Sequence, residues 1–457
     1  MGWYDRLYAH LPVWGQNIAV SAFGYYWHNL RFGGNFRLFE EGYRQRDSFT
    51  IEEWQDYQRS QLRLLMTEAV EHVPHYQRTW NEAQKEAALN GELSGLPLLE
   101  KQTIRNAPQD FINPAIRGRK LTFYTSGTTG TPVSAIYTIS DLRDSLAVRE
   151  VRSANWAGVS FNLPRATFSG RLVEPNPESN GPYYRYNAAE KQVYFSAFHL
   201  RSDTAQNYIH ALEHYKIQWM TGYAVSFYLL ARFILEQNLS VPPLQAIITT
   251  SEKVTLEMRI VMEQAFGCRV YEEYSTVENA LFASECENGR LHISPDVGVV
   301  EILRPDSSAC EPGEVGEVVA TCLMRHAQPF IRYRLGDLAA WDSVPCPCGR
   351  SMPVIKEVVG RLEDVVVGPD GRQMVRFHGI FVNQPHVIEG QIIQESLDFI
   401  RVKIVPTDIF DGADQADVIH RVQQRLGQGV RVVVDLVPEI PRTKAGKFKA
   451  VISNIKQ

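Results

Sequence analysis

Residues 121–132 read LTFYTSGTTGTP, and the interpretation of the whole chain starts from this stretch. The apolar and aromatic run at 121–124 predicts a buried strand, which ends in a segment with two glycines and four hydroxyl side chains. Glycine lets the backbone turn and approach a ligand closely. Free N–H groups together with Ser and Thr hydroxyls form a donor surface suited to polyphosphate. The segment lacks the Gly-Lys-Ser/Thr ending of the kinase-type phosphate loop, and taken alone it is equally typical of a polar turn.

Length and composition limit the classes of protein to consider. The chain has 457 residues, enough for two or three domains with a large core. Hydrophobic content of 44% and charged content of 22% are typical of a soluble globular protein. The formal net charge of −5 gives no reason to expect a nucleic acid or an anionic membrane as partner. We find no apolar run long enough to span a membrane and no signal-peptide pattern at the start, so we expect a cytoplasmic protein.

The order of periodic segments predicts an α/β fold in two parts. Helical spacing is found at 51–85, 141–155 and 204–238. From residue 245 onward, short β-branched runs alternate with a helix around 255–266, which is the α/β pattern. The runs at 297–304, 315–323 and 354–359 predict a more antiparallel, distorted β region. We therefore expect a large N-terminal α/β domain at 1–360 and a small α+β domain at 361–457.

Four further motifs follow the opening stretch in a fixed order. They are PGEVGEVV at 312–319, IRYRLGD at 331–337, GRLED at 360–364 and PRTKAGK at 441–447, and YEEYSTVE at 271–278 precedes them. Each of them alone is typical of a turn, an edge-strand ion pair, a linker or an exposed charged loop. Their occurrence together, in this order, is hard to attribute to chance.

With these motifs the sequence resembles the adenylate-forming acyl ligases of the ANL superfamily. Within them it resembles the phenylacetate–CoA ligase-like branch, which includes capsule-cluster and coenzyme synthetase relatives. The stretches QLRLLMTEAVEHVPHYQR at 61–78 and LPLLEKQTIR at 96–105 also look like this branch. The resemblance covers most of the chain from about residue 50 and implies that the small C-terminal domain is mobile.

The resemblance implies an ATP-dependent, AMP-forming enzyme that activates a carboxylic acid as an acyl adenylate. An aryl or arylacetic acid is the leading substrate class, CoA the leading acyl acceptor, and Mg²⁺ the metal that accompanies ATP. Attack of a carboxylate on the α-phosphorus needs positioning and charge stabilisation rather than covalent help from the protein. Two alternatives stay open: transfer to an amine or a carrier protein, and a nucleotide-binding scaffold without turnover. A homodimer is also compatible with the sequence.

The same resemblance assigns roles to individual residues. The expected ATP contacts are Ser126, Gly127, Thr128, Thr129, Gly130, Glu252, Glu272, Tyr274, Asp337 and Arg361. Tyr274 would stack on adenine and Asp337 would accept hydrogen bonds from the ribose. The expected catalytic residues are Lys447, Glu278 and Thr276, with Glu278 also ligating Mg²⁺. Gly222, Tyr223 and Ser275 would line the acyl pocket, and Glu363 would be the hinge residue.

Several positions depart from the pattern of the family. Val133 stands where many members have lysine, and Glu363 where the hinge is usually aspartate. Ser275 replaces a glycine and would crowd the passage beside the acyl pocket. Val277 replaces a threonine, which removes a hydroxyl near the metal and the α-phosphate, and Thr276 is the candidate to compensate. Val277 and Ser275 motivate the scaffold alternative.

The six cysteines all lie after residue 267, a clustering that favours a local metal site in a reducing compartment over a disulfide framework. Cys286, His292, Cys346 and Cys348 supply three thiolates and one imidazole, a set suited to structural zinc. The Cys-x-Cys spacing differs from the common Cys-x₂-Cys, so free buried thiols remain the alternative.

Overall fold

The computed structural model describes residues 3–124, 133–169, 173–174, 176, 179–252, 254–359, 366–371, 373–374, 377–381, 384–438, 440 and 451–455. In these ranges the α-helices are α1 (Trp3–His10), α2 (Val13–Phe32), α3 (Phe36–Arg46), α4 (Ile51–His72), α5 (Pro74–Thr79), α6 (Glu82–Asn90), α7 (Lys101–Asn106), α8 (Ile139–Val148), α9 (Ala205–His214), α10 (Ala224–Gln237), α11 (Leu256–Phe266) and α12 (Gly412–Leu426). A π-helical turn, Arg149–Ala154, continues α8, and 3₁₀ turns lie at Pro108–Phe111, Ala188–Glu190, Ala197–His199, Ser202–Thr204 and Phe377–Phe381.

The strands are β1 (Lys120–Tyr124), β2 (Ser134–Thr138), β3 (Arg165–Ser169), β4 (Tyr184–Asn187), β5 (Gln192–Ser196), β6 (Trp219–Tyr223), β7 (Ala246–Thr250), β8 (Arg269–Ser275), β9 (Phe282–Glu285), β10 (Leu291–Ile293), β11 (Gly298–Leu303), β12 (Val315–Cys322), β13 (Tyr333–Trp341), β14 (Val354–Val359), β15 (Val366–Val367), β16 (Gln373–Met374), β17 (Val387–Ser396), β18 (Phe399–Pro406), β19 (Arg431–Leu436) and β20 (Val451–Ser453).

The large sheet has a parallel half and an antiparallel half. Its strand order within the described residues is β11-β12-β13-β14-β10-β9-β8-β7-β6-β3-β5-β4. Strands β5, β3, β6, β7 and β8 pair in parallel, whereas every pair from β8–β9 to β12–β11 is antiparallel. Helices connect the parallel strands, and turns connect most of the antiparallel ones, as the two kinds of pairing require. The predicted α/β class with a more antiparallel region is confirmed.

The predicted helix at 204–238 is wrong, because strand β6 separates α9 from α10. Strand β6 lies in the centre of the parallel half, between β3 and β7. Gly222 has φ 141°, and a Cβ there would lie 2.0 Å from the carbonyl oxygen of Phe168 on β3. Close backbone packing therefore requires glycine at this position. Pairing inside the sheet outweighs the helical spacing of the apolar residues in this segment.

The strand predicted at 121–124 is confirmed, but the expectation that it is buried is wrong. In the described part of the chain β1 pairs with β2 alone, as a two-stranded antiparallel sheet. The end of β1 at Tyr124 is open to solvent, and Tyr124 is 56% exposed. Strand β2 is better covered, since Ala135, Ile136 and Tyr137 are all buried. The hairpin is thus attached to the body of the protein through β2.

The C-terminal part has its own sheet and core. Strands β19-β18-β17-β20 form a four-stranded sheet against which α12 packs Val418, Val422 and Leu426. Strand β14 ends at Val359 and β15 begins at Val366, whereas the predicted boundary at 360/361 lies outside the described residues. The domain limits therefore stay a prediction. None of the helices described has the length and apolar character needed to cross a membrane.

A buried ion network fixes the N-terminal helices to the sheet. The carboxylate of Asp296, which is completely buried, accepts hydrogen bonds from Arg46 Nε at 2.6 Å and Arg152 Nη2 at 3.0 Å. Arg152 Nε also donates to Asp47 Oδ1 at 2.7 Å. Burial raises the pKa of Asp296, but the charges of Arg152 and Arg46 outweigh burial, and the pKa lies below its usual value. The carboxylate is therefore charged in the folded protein.

We predict that Asp296→Asn lowers the free energy of unfolding by about 3 kcal/mol, because it leaves the partly buried Arg46 without its carboxylate and the buried Arg152 with Asp47 alone. Urea unfolding followed by tryptophan fluorescence measures the loss, since Trp156 donates to Asp47 beside the network. The control is Asp56→Asn, which breaks an exposed pair with Arg59 and should cost less than about 1 kcal/mol. Because the folded pKa of Asp296 is lowered, the stability it contributes is present above the carboxyl's ordinary pKa and disappears as the pH falls.

Candidate functional site

Part of the predicted site lies outside the described residues. These positions are Ser126, Gly127, Thr128, Thr129, Gly130, Arg361, Glu363 and Lys447. Their roles stay predictions from the sequence. The structure does describe β1 and β2, which flank the glycine-rich segment on either side, and the other predicted site residues.

Two buried polar side chains connect β2 to the turn that carries Glu278. Arg325 donates from Nη1 to the carbonyl oxygen of Glu278 at 2.6 Å and from Nη2 to that of Ile136 at 2.8 Å. Gln328 Oε1 accepts from Arg325 Nη2 at 2.6 Å and from the Ile136 N–H at 2.8 Å, while Nε2 donates to Ser134 O at 3.2 Å. Arg325 and Gln328 are both completely buried. Strand β2 is therefore held at a fixed distance from Glu278.

A third contact between β2 and the same turn comes from Tyr137. Its hydroxyl donates to the carbonyl oxygen of Val277 at 2.7 Å, and the Arg325 guanidinium lies 4.7 Å from its ring centroid. Burial raises the pKa of Tyr137 well above its usual value, so the phenol stays neutral and keeps its proton to donate. The backbone carbonyl groups of Val277 and Glu278 are thus both fixed by hydrogen bonds.

The turn itself presents one carboxylate. Glu278 is 4% exposed, and its Oε1 accepts a hydrogen bond from the Tyr333 hydroxyl at 2.6 Å. Tyr333 belongs to the IRYRLGD motif, so two of the predicted motifs meet here. Carboxylate oxygen is the donor that Mg²⁺ prefers, and Glu278 therefore fits the metal role assigned to it. Thr276 Oγ1 accepts from the Ala280 N–H at 3.4 Å, and the Val277 side chain is 40% exposed.

Tyr274 and Asp337, the predicted adenine and ribose residues, are in direct contact. The Tyr274 hydroxyl donates to Asp337 Oδ2 at 3.0 Å. Their strands, β8 and β13, are four steps apart in the sheet. In a flat sheet four steps would separate them by about 19 Å. The sheet therefore curves strongly between β8 and β13 and brings the two motifs to one place.

Glu272 lies on the same face of β8 as Tyr274, since side chains alternate along a strand. Arg259 on α11 donates from Nη2 to Glu272 Oε1 at 2.7 Å. Burial raises the pKa of Glu272, and the nearby arginine opposes that rise. Glu252 follows the end of β7 and is half-buried. These two carboxylates lie beside the carboxyl ends of the parallel strands, where ligands bind in α/β sheets.

The predicted acyl-pocket residues lie at the same edge of the sheet. Tyr223 ends β6 and Ser275 ends β8, whereas Gly222 has the close-packing role against β3 described above. Arg149, at the start of the π-helical turn, donates from Nη2 to Ser275 Oγ at 2.8 Å and also pairs with the carboxylate of Glu273. Arg149 lies in no sequence motif, and nothing in its local pattern distinguishes it from any polar residue on an amphipathic helix.

The four predicted zinc ligands converge, although up to 62 residues separate them in the sequence. The ligand atoms of Cys286, His292, Cys346 and Cys348 all lie within 4.8 Å of one another. The sulfur atoms of Cys286 and Cys346 are 3.6 Å apart, and Cys348 Sγ lies 3.4 Å from His292 Nε2. Tetrahedral Zn–S bonds of about 2.3 Å place two sulfur ligands about 3.8 Å apart. The donor set and its spacing therefore fit zinc.

The surroundings of His292 suit it for metal binding. Its Nδ1 lies 3.2 Å from the carbonyl oxygen of Met352, a contact that orients the ring and directs Nε2 towards the cysteines. Burial lowers the pKa of His292, with its backbone contact to Met352 opposing the change. A neutral imidazole is the form that binds metal. With four protein ligands, the coordination sphere would be closed and the role structural.

Comparison with known proteins gives consistent matches. The CapK C-terminal domain family model matches residues 367–454. Protein CapK of Staphylococcus aureus is 26% identical over 99% of this chain and 100% of its own length. The phenylacetate-coenzyme A ligase of Aromatoleum evansii is 26% identical, with 68% of this chain and 71% of the relative covered. A crystal structure of 2-hydroxyisobutyryl-CoA ligase with 2-HIB-AMP and CoA has a TM-score of 0.58 at 21% identity, covering 90% of this chain and 91% of that chain.

We predict that the purified protein contains about one zinc ion per chain. Cys348→Ser should lose the metal and lower the thermal unfolding temperature, because a tetrahedral structural site depends on all four ligands. Elemental analysis of the purified proteins makes the measurement. Cys310→Ser is the matched control, since Cys310 lies outside the cluster. A wild-type protein without zinc would restore the interpretation of these residues as free thiols.

Proposed function

The chain is an ANL-superfamily, phenylacetate–CoA ligase-like protein, and from that premise we propose that it activates a carboxylic acid with ATP and transfers the acyl group to CoA. The observation that carries the proposal is the convergence of separate motifs. Tyr274 contacts Asp337, Tyr333 contacts Glu278, and Arg325 connects Glu278 to the strand that follows the glycine-rich segment. A site for adenosine, metal and polyphosphate is the simplest function for this grouping.

In the first step a carboxylate oxygen of the acid attacks the α-phosphorus of ATP. A new O–P bond forms, the bond from the α-phosphorus to the bridging oxygen breaks, and pyrophosphate leaves. Asp337 would hold the ribose and Tyr274 the adenine, so that the α-phosphorus is correctly placed. Glu278 would hold Mg²⁺, which would neutralise part of the charge of the phosphates. Lys447 would offset negative charge that develops near the new bond.

In the second step the thiol of CoA releases its proton to solvent, its sulfur attacks the acyl carbon, and AMP leaves with the electron pair of the broken C–O bond. The resemblance assigns a swing of the small domain between the two steps, with Glu363 as its hinge and Arg361 beside it. The ATP and CoA requirements are supported by the kinds of ligase that the chain matches. The aryl or arylacetic class of acid, the cytoplasmic location and a homodimer stay predictions from the sequence.

One observation supports the scaffold alternative. Val277 supplies no hydroxyl, and the Thr276 hydroxyl oxygen already accepts a hydrogen bond within the turn, from the Ala280 N–H. The family pattern places a threonine hydroxyl near the α-phosphate at the position of Val277. This chain lacks that hydroxyl, and the hydroxyl of the neighbouring Thr276 makes a hydrogen bond within the turn instead. A scaffold of this kind would bind ATP without exchanging pyrophosphate. Transfer to an amine or a carrier protein is the other alternative, and it differs from CoA transfer only after the adenylate has formed.

We predict that the protein catalyses acid-dependent ATP–pyrophosphate exchange with at least one member of a broad panel of carboxylic acids. Lys447→Ala should lower the exchange rate by about 100-fold or more, because a charge that stabilises the transition state is lost. Lys356→Ala, at an exposed position of β14, is the control and should leave the rate unchanged. The active acid is then incubated with CoA, amines and carrier proteins, and the acylated product identifies the acceptor.

The outcomes separate the candidate functions. Exchange together with an acyl-CoA product supports the ligase. Exchange with an amide or loaded-carrier product moves the assignment to that acceptor. Binding of ATP without exchange, across the whole panel, would contradict the enzyme and support the scaffold.

A further inference from the structure

The carboxyl ends of three parallel strands carry polar side chains in one row. Tyr223 on β6 is in register with Thr250 on β7, and Thr250 is in register with Glu273 on β8. Side chains at paired positions of neighbouring strands project from the same face of a sheet. The row lies at the edge where ligands bind in α/β sheets, on the side where the acyl pocket is expected.

Further towards the amino ends of these strands, the same face carries a buried apolar cluster together with Thr221 and Arg269. Trp219 and Ile248 belong to a buried cluster there, and Tyr271 packs against it. The polar row lies beyond this cluster, at the carboxyl ends of the strands.

Arg149, on the π-helical turn that follows α8, adds a guanidinium to this polar row. Its guanidinium pairs with the Glu273 carboxylate and donates to Ser275 Oγ at 2.8 Å. Ser275 lies two residues after Glu273 and thus on the same face of β8. The Glu273 side chain is 4% exposed, whereas that of Arg149 is 25% exposed. The carboxylate is buried, but the guanidinium can still be reached from solvent. Arg149 begins the π-helical turn Arg149–Ala154, and such irregular turns occur frequently at functional sites.

The side chains of Arg149, Glu273 and Ser275 offer a complementary set of hydrogen-bonding partners. A guanidinium only donates, a carboxylate only accepts, and a serine hydroxyl does both. A hydroxyl group on a substrate also donates and accepts, so it can be satisfied fully here. A purely apolar substituent would remove water from these polar groups without replacing its hydrogen bonds, which is unfavourable.

We propose that Arg149, Glu273 and Ser275 form the subsite that recognises the acyl substituent, and that the acid is a hydroxy acid. The proposal rests on the proposed function and narrows its substrate class. It also gives Ser275 a role: the side chain that the sequence analysis expected to crowd the acyl passage becomes part of the recognition group. An aryl acid fits this site when its ring or side chain carries a hydroxyl.

The test compares acids in matched pairs that differ by one hydroxyl group. Phenylacetate is paired with 4-hydroxyphenylacetate and with mandelate, and butyrate with its 2-hydroxy and 3-hydroxy derivatives. We expect kcat/KM for ATP–pyrophosphate exchange to be about 100-fold or more higher for the hydroxylated member of at least one pair, because a site built to hydrogen-bond a hydroxyl rejects the analogue that lacks it. Equal use of both members in every active pair would overturn the hydroxy-acid assignment and leave the ligase function intact. Absence of exchange with every acid would overturn both.

Two variants test whether these residues produce the preference. Arg149→Met and Ser275→Gly should each reduce the ratio of kcat/KM between the hydroxylated and the unsubstituted acid to less than about 10-fold. Since Arg149→Met leaves the Glu273 charge buried, Ser275→Gly provides the milder change, and circular dichroism verifies that both variants are folded. Arg232→Met, which breaks an exposed pair with Glu236, is the control and should keep the full preference. An unchanged preference in both folded variants would assign Arg149 and Glu273 a structural role and contradict the proposal.

Discussion

The buried guanidinium of Arg325 is the contact on which the geometry of the site depends. It joins the carbonyl oxygens of Glu278 and Ile136, which are 142 residues apart in the sequence. A buried charge is tolerated only when hydrogen bonds replace its hydration, so the two carbonyl groups cannot move apart without a large free-energy penalty. The glycine-rich segment is followed directly by β2. The position of that strand relative to the carboxylate of Glu278 is therefore set by Arg325 together with Gln328.

Strand β8 divides the site into two sides. Glu272 and Tyr274 project from one face of the strand, where the curvature of the sheet brings Asp337 within hydrogen-bonding distance. Glu273 and Ser275 project from the other face, towards Arg149. The alternation of side chains along one strand thus places the residues assigned to the nucleotide and those assigned to the acid back to back. The turn at 276–279 ends the strand, and Glu278 lies in it between the two sides.

The sequence predicted those parts of the site whose residues form recognisable local motifs. Tyr274, Asp337 and Glu278 were named from such motifs, and the structure groups them. The donor types of Cys286, His292, Cys346 and Cys348 predict a zinc site, with free thiols as the alternative, and the structure brings the four ligand atoms together. The alternation of short strands with helices was also sufficient to predict the α/β class.

Other features depend on contacts that no local pattern records. The helix predicted at 204–238 runs through β6 because the apolar residues on both sides of this five-residue strand, such as Leu212 and Phe227, have helical spacing. The exposure of β1 depends on its lack of a second partner among the described strands. Arg325 and Arg149 act through partners more than a hundred residues away in the chain, at Ile136 and Glu273. Their roles can be found only once the chain has folded.

The most direct test of the central claim measures ATP·Mg²⁺ affinity by calorimetry for the wild type and for Arg325→Met, which keeps much of the side-chain volume but makes no hydrogen bonds. Arg304→Met, which removes a half-buried surface arginine paired with Glu314, serves as the control. The account predicts that the folded Arg325→Met protein binds ATP·Mg²⁺ at least about ten-fold more weakly, because β2 and Glu278 are no longer held together. Unchanged affinity in a folded Arg325→Met protein would contradict it.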